Sequence, residues 1–147
     1  MDMKRARVVL ADDYEPAHEV YCKLLGPEVE VVAAVSDCEA AMQAAQAHAP
    51  DLMLLDIEMG AIGGFALARW LKKNLPGIKI VFLTLHAEPA YMNEAAGIGA
   101  EGYVVKRNAV AELLKTVRTV LAGSRTSPVG AVRDCACGAP RDFQSCE

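Results

Sequence analysis

Short apolar runs alternate with stretches whose apolar residues return at helical spacing, and the pattern repeats five times along the chain. Arg7-Val8-Val9-Leu10-Ala11 predicts a first strand that runs straight into Asp12-Asp13. Ala17, Val20, Tyr21, Leu24 and Leu25 trace one helical face, with Asp13 or Tyr14 before the first turn, Pro16 tolerated inside it, and Gly26-Pro27 ending it. Val29 to Val35 is β-branched and predicts a second strand; Ser36-Asp37 then caps an alanine-rich helix from Cys38 to about Ala47, closed by Pro50. Leu52-Met53-Leu54-Leu55 has the composition of a fully buried strand, and it stops on Asp56. Gly60, Gly63 and Gly64 mark the loop that follows. Phe65, Leu67, Ala68 and Leu71 predict a third helix, stopped by Asn74 and Pro76-Gly77. Ile78 to Leu83 is a fourth strand ending on Thr84, and Pro89 opens a fourth helix running to about Ile98-Gly99. Gly102-Tyr103-Val104-Val105 is a fifth strand ending on Lys106. Asn108 is placed to cap the last helix, where Val110, Leu113, Leu114, Val117, Val120 and Leu121 form a stripe closed by Gly123.

Strands that alternate with helices in this way build an α/β fold, a parallel sheet covered on both faces. Right-handed crossovers favour a doubly wound open sheet, and ligands of such sheets bind beyond the carboxyl ends of the strands.

Composition adds bounds. At 147 residues, 53% hydrophobic and 23% charged, the chain suits one globular domain. A net charge of -4 gives no argument for nucleic-acid binding by this chain itself. No apolar run approaches the roughly 20 residues that span a bilayer, and the basic start is no signal peptide, so the expectation is a cytoplasmic protein without membrane contact. Cys22 and Cys38 fall in helices and are expected as buried or half-buried thiols.

Four of the five strands finish on residues able to do chemistry: Asp12-Asp13, Asp56, Thr84 and Lys106. A parallel sheet brings them to one edge. Two carboxylates about 4 Å apart repel by roughly 4 kcal/mol at an effective dielectric of about 20, so three need more compensation than one lysine supplies. A hard divalent cation supplies it, and an oxygen-only donor set without His or Cys favours Mg²⁺. Mg²⁺ beside a carboxylate nucleophile points to phosphoryl chemistry and an aspartyl phosphate. Each group also has a plainer role. Asp56 can cap a turn, Thr84 can be a strand-end hydroxyl, Lys106 a solvated lysine and Tyr103 a half-buried β-former. His18, His48 and His86 show no ligand spacing and are assigned no chemistry.

The ordered set Leu10-Ala11-Asp12-Asp13, Leu54-Leu55-Asp56, Leu83-Thr84 and Gly102-Tyr103-Val104-Val105-Lys106 resembles the receiver domain of two-component response regulators over about residues 5–122. Leu83-Thr84-Leu85-His86 and Val120-Leu121-Ala122-Gly123 resemble its LuxR/NarL group. The resemblance implies a flavodoxin-like sheet of order 2-1-3-4-5. It implies that Asp56 accepts a phosphoryl group from a phosphohistidine of a sensor histidine kinase. Asp13, Asp12 (largely through water), Asp56 and the backbone carbonyl of Glu58 would hold Mg²⁺, leaving the Glu58 side chain free to face the pocket mouth. Lys106 would pair with the phosphoryl group, Thr84 would move to contact it, and Tyr103 would swing inward. The surface of the fourth helix, fifth strand and fifth helix would be biased, with homodimerisation through it or through the first and fifth helices. Such a domain is no enzyme beyond its own phosphoryl transfer and autodephosphorylation, and in this group it usually precedes a helix-turn-helix DNA-binding domain that regulates transcription.

The chain departs from the family pattern in places. Gly60 and Gly63-Gly64 stand where relatives commonly have Pro and Asp-Gly, which predicts a more mobile loop. Arg107 replaces a proline common after the lysine, and Leu85 is larger than the residue often found after the threonine, where it would screen an acyl phosphate. Residues 123–147 look like a linker and a disordered tail, without a recognisable output domain; Cys135, Cys137 and Cys146 are one thiol short of a closed zinc site. Other readings stay open: a stand-alone receiver acting through protein contacts, a phosphorylation-independent interaction module, or an aspartyl phosphatase. The last lacks its usual second Asp, because Glu58 occupies that position.

Overall fold

A computed structural model describes residues 5–60 and 62–123; the expectations for the tail and its cysteines fall outside the described residues. The elements run in the order β1 (Ala6–Ala11), α1 (Glu15–Leu25), β2 (Val29–Val35), α2 (Cys38–His48), β3 (Leu52–Leu55), α3 (Gly64–Asn74), β4 (Lys79–Thr84), α4 (Pro89–Ile98), β5 (Gly102–Val105) and α5 (Ala109–Leu121). The five strands form one parallel sheet in the order β2-β1-β3-β4-β5, the doubly wound flavodoxin-like arrangement.

Period-two alternation divides the core between the faces. Val9, Met53, Leu55, Ile80, Phe82 and Tyr103 pack against α2, α3 and α4. Val8, Leu10, Leu54, Leu83 and Val104 pack against α1 and α5. The helices are seated unequally: α5 buries Ala109, Leu113, Thr116, Val117 and Val120, whereas α4 buries Ala95 alone. Among the described residues no helix is long and apolar enough to cross a membrane.

Local signals act mostly as expected. Asp37 accepts from the Ala40 N–H at 2.7 Å and caps α2. Asp37→Ala should therefore cost about 1 kcal/mol in thermal unfolding, the usual worth of such a cap. Asn108 differs: it makes no side-chain cap, because Lys106–Asn108 form a 3₁₀ turn leading into α5. The α5 stripe also begins one residue earlier than its apolar spacing suggested, with Ala109 buried and Val110 83% exposed. Val20 on α1 is likewise exposed at 53%, because it borders the site described next rather than the core.

Candidate functional site

Asp12, Asp13, Asp56, Thr84 and Lys106 sit at the carboxyl edge of the sheet because parallel strands end there together. Asp12 and Asp56 lie just past β1 and β3 and are 1% and 7% exposed, while Asp13 is exposed. Each of the three offers a carboxylate oxygen within 4.8 Å of the others. Lys106 lies across them, its Nζ 2.7 Å from Asp12 Oδ2 and 3.1 Å from Asp56 Oδ2. Asp56 Oδ1 accepts from the Glu58 N–H at 3.3 Å.

Burial pushes the Asp56 carboxyl above its usual range, against the pull of Lys106. Burial alone would lower Lys106, but its close contacts with the charged carboxylates of Asp12 and Asp56 outweigh that and raise it. One ammonium thus answers three carboxylates, and the cluster has acidic oxygen to spare. An all-oxygen donor set of this kind fits a hard divalent cation such as Mg²⁺.

Two helices steady this edge. His18 of α1 donates from Nε2 to the Asp12 carbonyl at 2.7 Å, and Asp12 Oδ1 accepts from the Tyr14 N–H at 2.9 Å. The buried Cys38 thiol, at the start of α2, donates to the Met59 carbonyl at 3.3 Å and lies 3.7 Å from that of Gly63. The glycine loop also has a packing reason the sequence did not reveal. Gly60 and Gly63 take φ of +67° and +84°, and the Gly64 N–H donates to the Ile57 carbonyl at 2.7 Å, which brings the first turn of α3 against the backbone of the Asp56 segment.

Thr84 and Tyr103 lie on the other face. Thr84 is fully buried, and its Oγ1 accepts from the His86 N–H at 3.3 Å. Tyr103 is already inward, 4% exposed, with its hydroxyl donating to the His86 carbonyl at 2.8 Å; burial pushes its phenol upward. The expected inward swing therefore has no outward starting position in this structure.

Glu58 lines the mouth of the cleft as expected, and its Oε2 also lies 2.8 Å from His86 Nε2. His86, assigned no chemistry from its spacing, stands between Glu58 and Glu88, whose Oε1 is 3.4 Å from Nδ1. The Glu58 carboxylate beside it raises its pKa, and its ring stacks on Tyr91 with centroids 4.1 Å apart. A lone histidine in a loop gives no periodic signal, and its partner belongs to another loop.

A cleft of about 800 Å³ opens at this edge, lined by Asp13, Asp56 and Lys106 and rimmed by Tyr14, Val20 and Leu85. Leu85, 69% exposed, lines this cleft together with Asp56. Carboxylates at the floor and an apolar rim suit a reacting group delivered by a larger partner.

A family model described as response regulator receiver domain matches residues 8–118. The transcriptional regulatory protein DegU of Brevibacillus brevis is 31% identical over 121 residues, covering 81% of this chain and 51% of DegU. A two-component response regulator of the LuxR family from Aurantimonas sp. SI85-9A1 superposes with a TM-score of 0.81 at 29% identity, over 86% of this chain and 91% of that one. The receiver domain of the putative response regulator NarL from Mycobacterium tuberculosis does so with a TM-score of 0.78 at 29% identity, over 82% and 99%. The chain spans about half the length of the curated relatives it matches. By sequence, by strand order and by the company of LuxR- and NarL-type regulators, the chain belongs to the response regulator receiver domain family.

Proposed function

We propose that this domain, in the cytoplasm, receives a phosphoryl group on Asp56 from the phosphohistidine of a sensor histidine kinase and passes the change to a partner surface. The observation that carries the reading is the Asp56 carboxylate held at the carboxyl edge of the central strand β3, flanked by Asp12, Asp13 and Lys106. In the transfer, an Asp56 oxygen bonds to phosphorus as the phosphorus–nitrogen bond of the donor breaks. Water later hydrolyses the acyl phosphate and restores the carboxylate. Asp12, Asp13, Asp56 and the Glu58 carbonyl would hold Mg²⁺, which when bound supplies charge neutralisation for the phosphoryl oxygens. Lys106 orients the nucleophile through its 3.1 Å contact with Oδ2 and is placed to exchange that contact for a phosphoryl oxygen. The apolar rim of Tyr14, Val20 and Leu85 excludes water and seats the donor protein.

Thr84, buried beside the site, is the hydroxyl that answers the new charge, and Tyr103 is bound to the same loop through His86. Their rearrangement biases the surface of α4, β5 and α5, through which, or through α1 and α5, the domain pairs with a second copy. Since DegU is named a transcriptional regulatory protein, the domain's natural setting is regulation of transcription through an output domain of LuxR/NarL type.

Incubation with phosphoramidate and Mg²⁺ should add one phosphoryl group, read by intact mass. Chelating the metal should prevent the addition, and Asp56→Asn should lose it. A phosphoryl group that still appears in Asp56→Asn would move the acceptor elsewhere.

A further inference from the structure

His86 is where the parts of the site meet. Its backbone N–H donates to Thr84 Oγ1 at 3.3 Å, and its carbonyl accepts from the Tyr103 hydroxyl at 2.8 Å. Nε2 lies 2.8 Å from Glu58 Oε2, on the loop that follows Asp56. The ring stacks on Tyr91 of α4, at an interplanar angle of 19°, and Tyr91 in turn stacks on Phe65 at 6.2 Å. One residue thus joins the end of β4, the β3–α3 loop, β5 and α4.

We propose that His86 is the positioning residue of the switch: paired with Glu58, it latches the segment between β4 and α4 in the arrangement described here, and phosphorylation must release that latch. The inference rests on Asp56 being the phosphoacceptor. The Thr84 hydroxyl is already engaged by the His86 N–H, so it cannot turn toward a phosphoryl group without freeing that donor. The same segment carries the carbonyl that holds Tyr103. A shift of one contact therefore disturbs the other. Glu58, two residues from Asp56, is drawn on whenever its loop adjusts to a new charge, which loads the pair from the opposite end. The stack on Tyr91 carries the movement into α4, the helix with only Ala95 buried. Glu58 is 68% exposed at its side chain, so the pair is not core packing; a polar contact this open shifts an equilibrium by only a few-fold, which suits a latch that must open.

Two substitutions separate the elements of the latch. His86→Phe keeps an aromatic ring for Tyr91 but removes both ring nitrogens; Glu58→Gln keeps the backbone and side-chain length but removes the charge. Each should speed labelling by phosphoramidate with Mg²⁺ by about two- to fivefold. The double variant should be no faster than either single one, because both break the same contact. Additive effects, slower labelling or no change would overturn the latch. Amide hydrogen exchange of the unphosphorylated protein supplies a second readout. Both variants should accelerate exchange at Tyr91 and Met92, although Glu58 lies on a different loop; unchanged exchange there would also overturn it. A wild-type protein that takes no phosphoryl group would instead remove the Asp56 reading, and the exchange measurement would still decide whether the Glu58–His86 contact holds α4.

Discussion

Gly64→Ala is expected to destabilise the domain by roughly 3 kcal/mol, although the same exchange inside a helix ordinarily gains up to about 1 kcal/mol. A Cβ at this position would fall on the Asp56 carbonyl oxygen and within 2.9 Å of both its carbonyl carbon and Ile57 Cα. These are backbone atoms, so no flexible side chain can move aside. Either α3 lifts away from the sheet, losing the 2.7 Å hydrogen bond from Gly64 to Ile57, or the Asp56 backbone is pushed out of place. Stability and phosphorylation should therefore fall together. Gly77→Ala is the control, since a Cβ there meets nothing within 4 Å. Urea unfolding checks both. A Gly64→Ala protein within about 1 kcal/mol of wild type would show that this contact yields more easily than close packing allows.

Lys106→Met is expected to cost about 3 kcal/mol in metal-free buffer and to abolish transfer to Asp56. Removing the cation leaves Asp12 and Asp56 buried without a countercharge, and such a break costs more than the intact pair contributes. If the carboxylates hold Mg²⁺ as proposed, the metal should return much of the loss, because only the folded chain assembles that cluster. Asp56→Asn placed on top of Lys106→Met should also return part of it, by removing one of the charges left in excess. Denaturation with and without Mg²⁺ measures all of this; equal midpoints for Lys106→Met and wild type without metal would count against the lysine as the main compensating charge.

The sequence was legible where one signal decided the outcome. Leu52 to Leu55 leaves no polar face, so β3 had to be central and buried, and the right-handed crossovers then brought Asp12, Asp56, Thr84 and Lys106 to one edge. Asp37 carries its cap in its own side chain. What stayed hidden depends on contacts between loops. His86 and Glu58 belong to separate loops and meet only once the sheet is built. Gly64 looked like freedom of the backbone and is a requirement of packing. Val110 continues an apolar spacing, but a 3₁₀ turn ahead of α5 places it toward solvent.

The sheet has one further consequence. Asp12, Asp56 and Lys106 continue the register of Leu10, Leu54 and Val104, which face α1 and α5, whereas Thr84 follows Phe82, which with Tyr103 faces α2, α3 and α4. With Asp56 as acceptor, capture and readout stand on opposite faces of the sheet and meet at its carboxyl edge, through Thr84 and the Glu58–His86 contact. On the proposed reading, exchanges among Tyr14, Val20 and Tyr21 should alter the choice of donor protein, while exchanges among Phe65, Tyr91 and Ala95 should alter the response to a captured charge. A lineage can thus drift in its choice of signal and in its sensitivity separately, each along its own face.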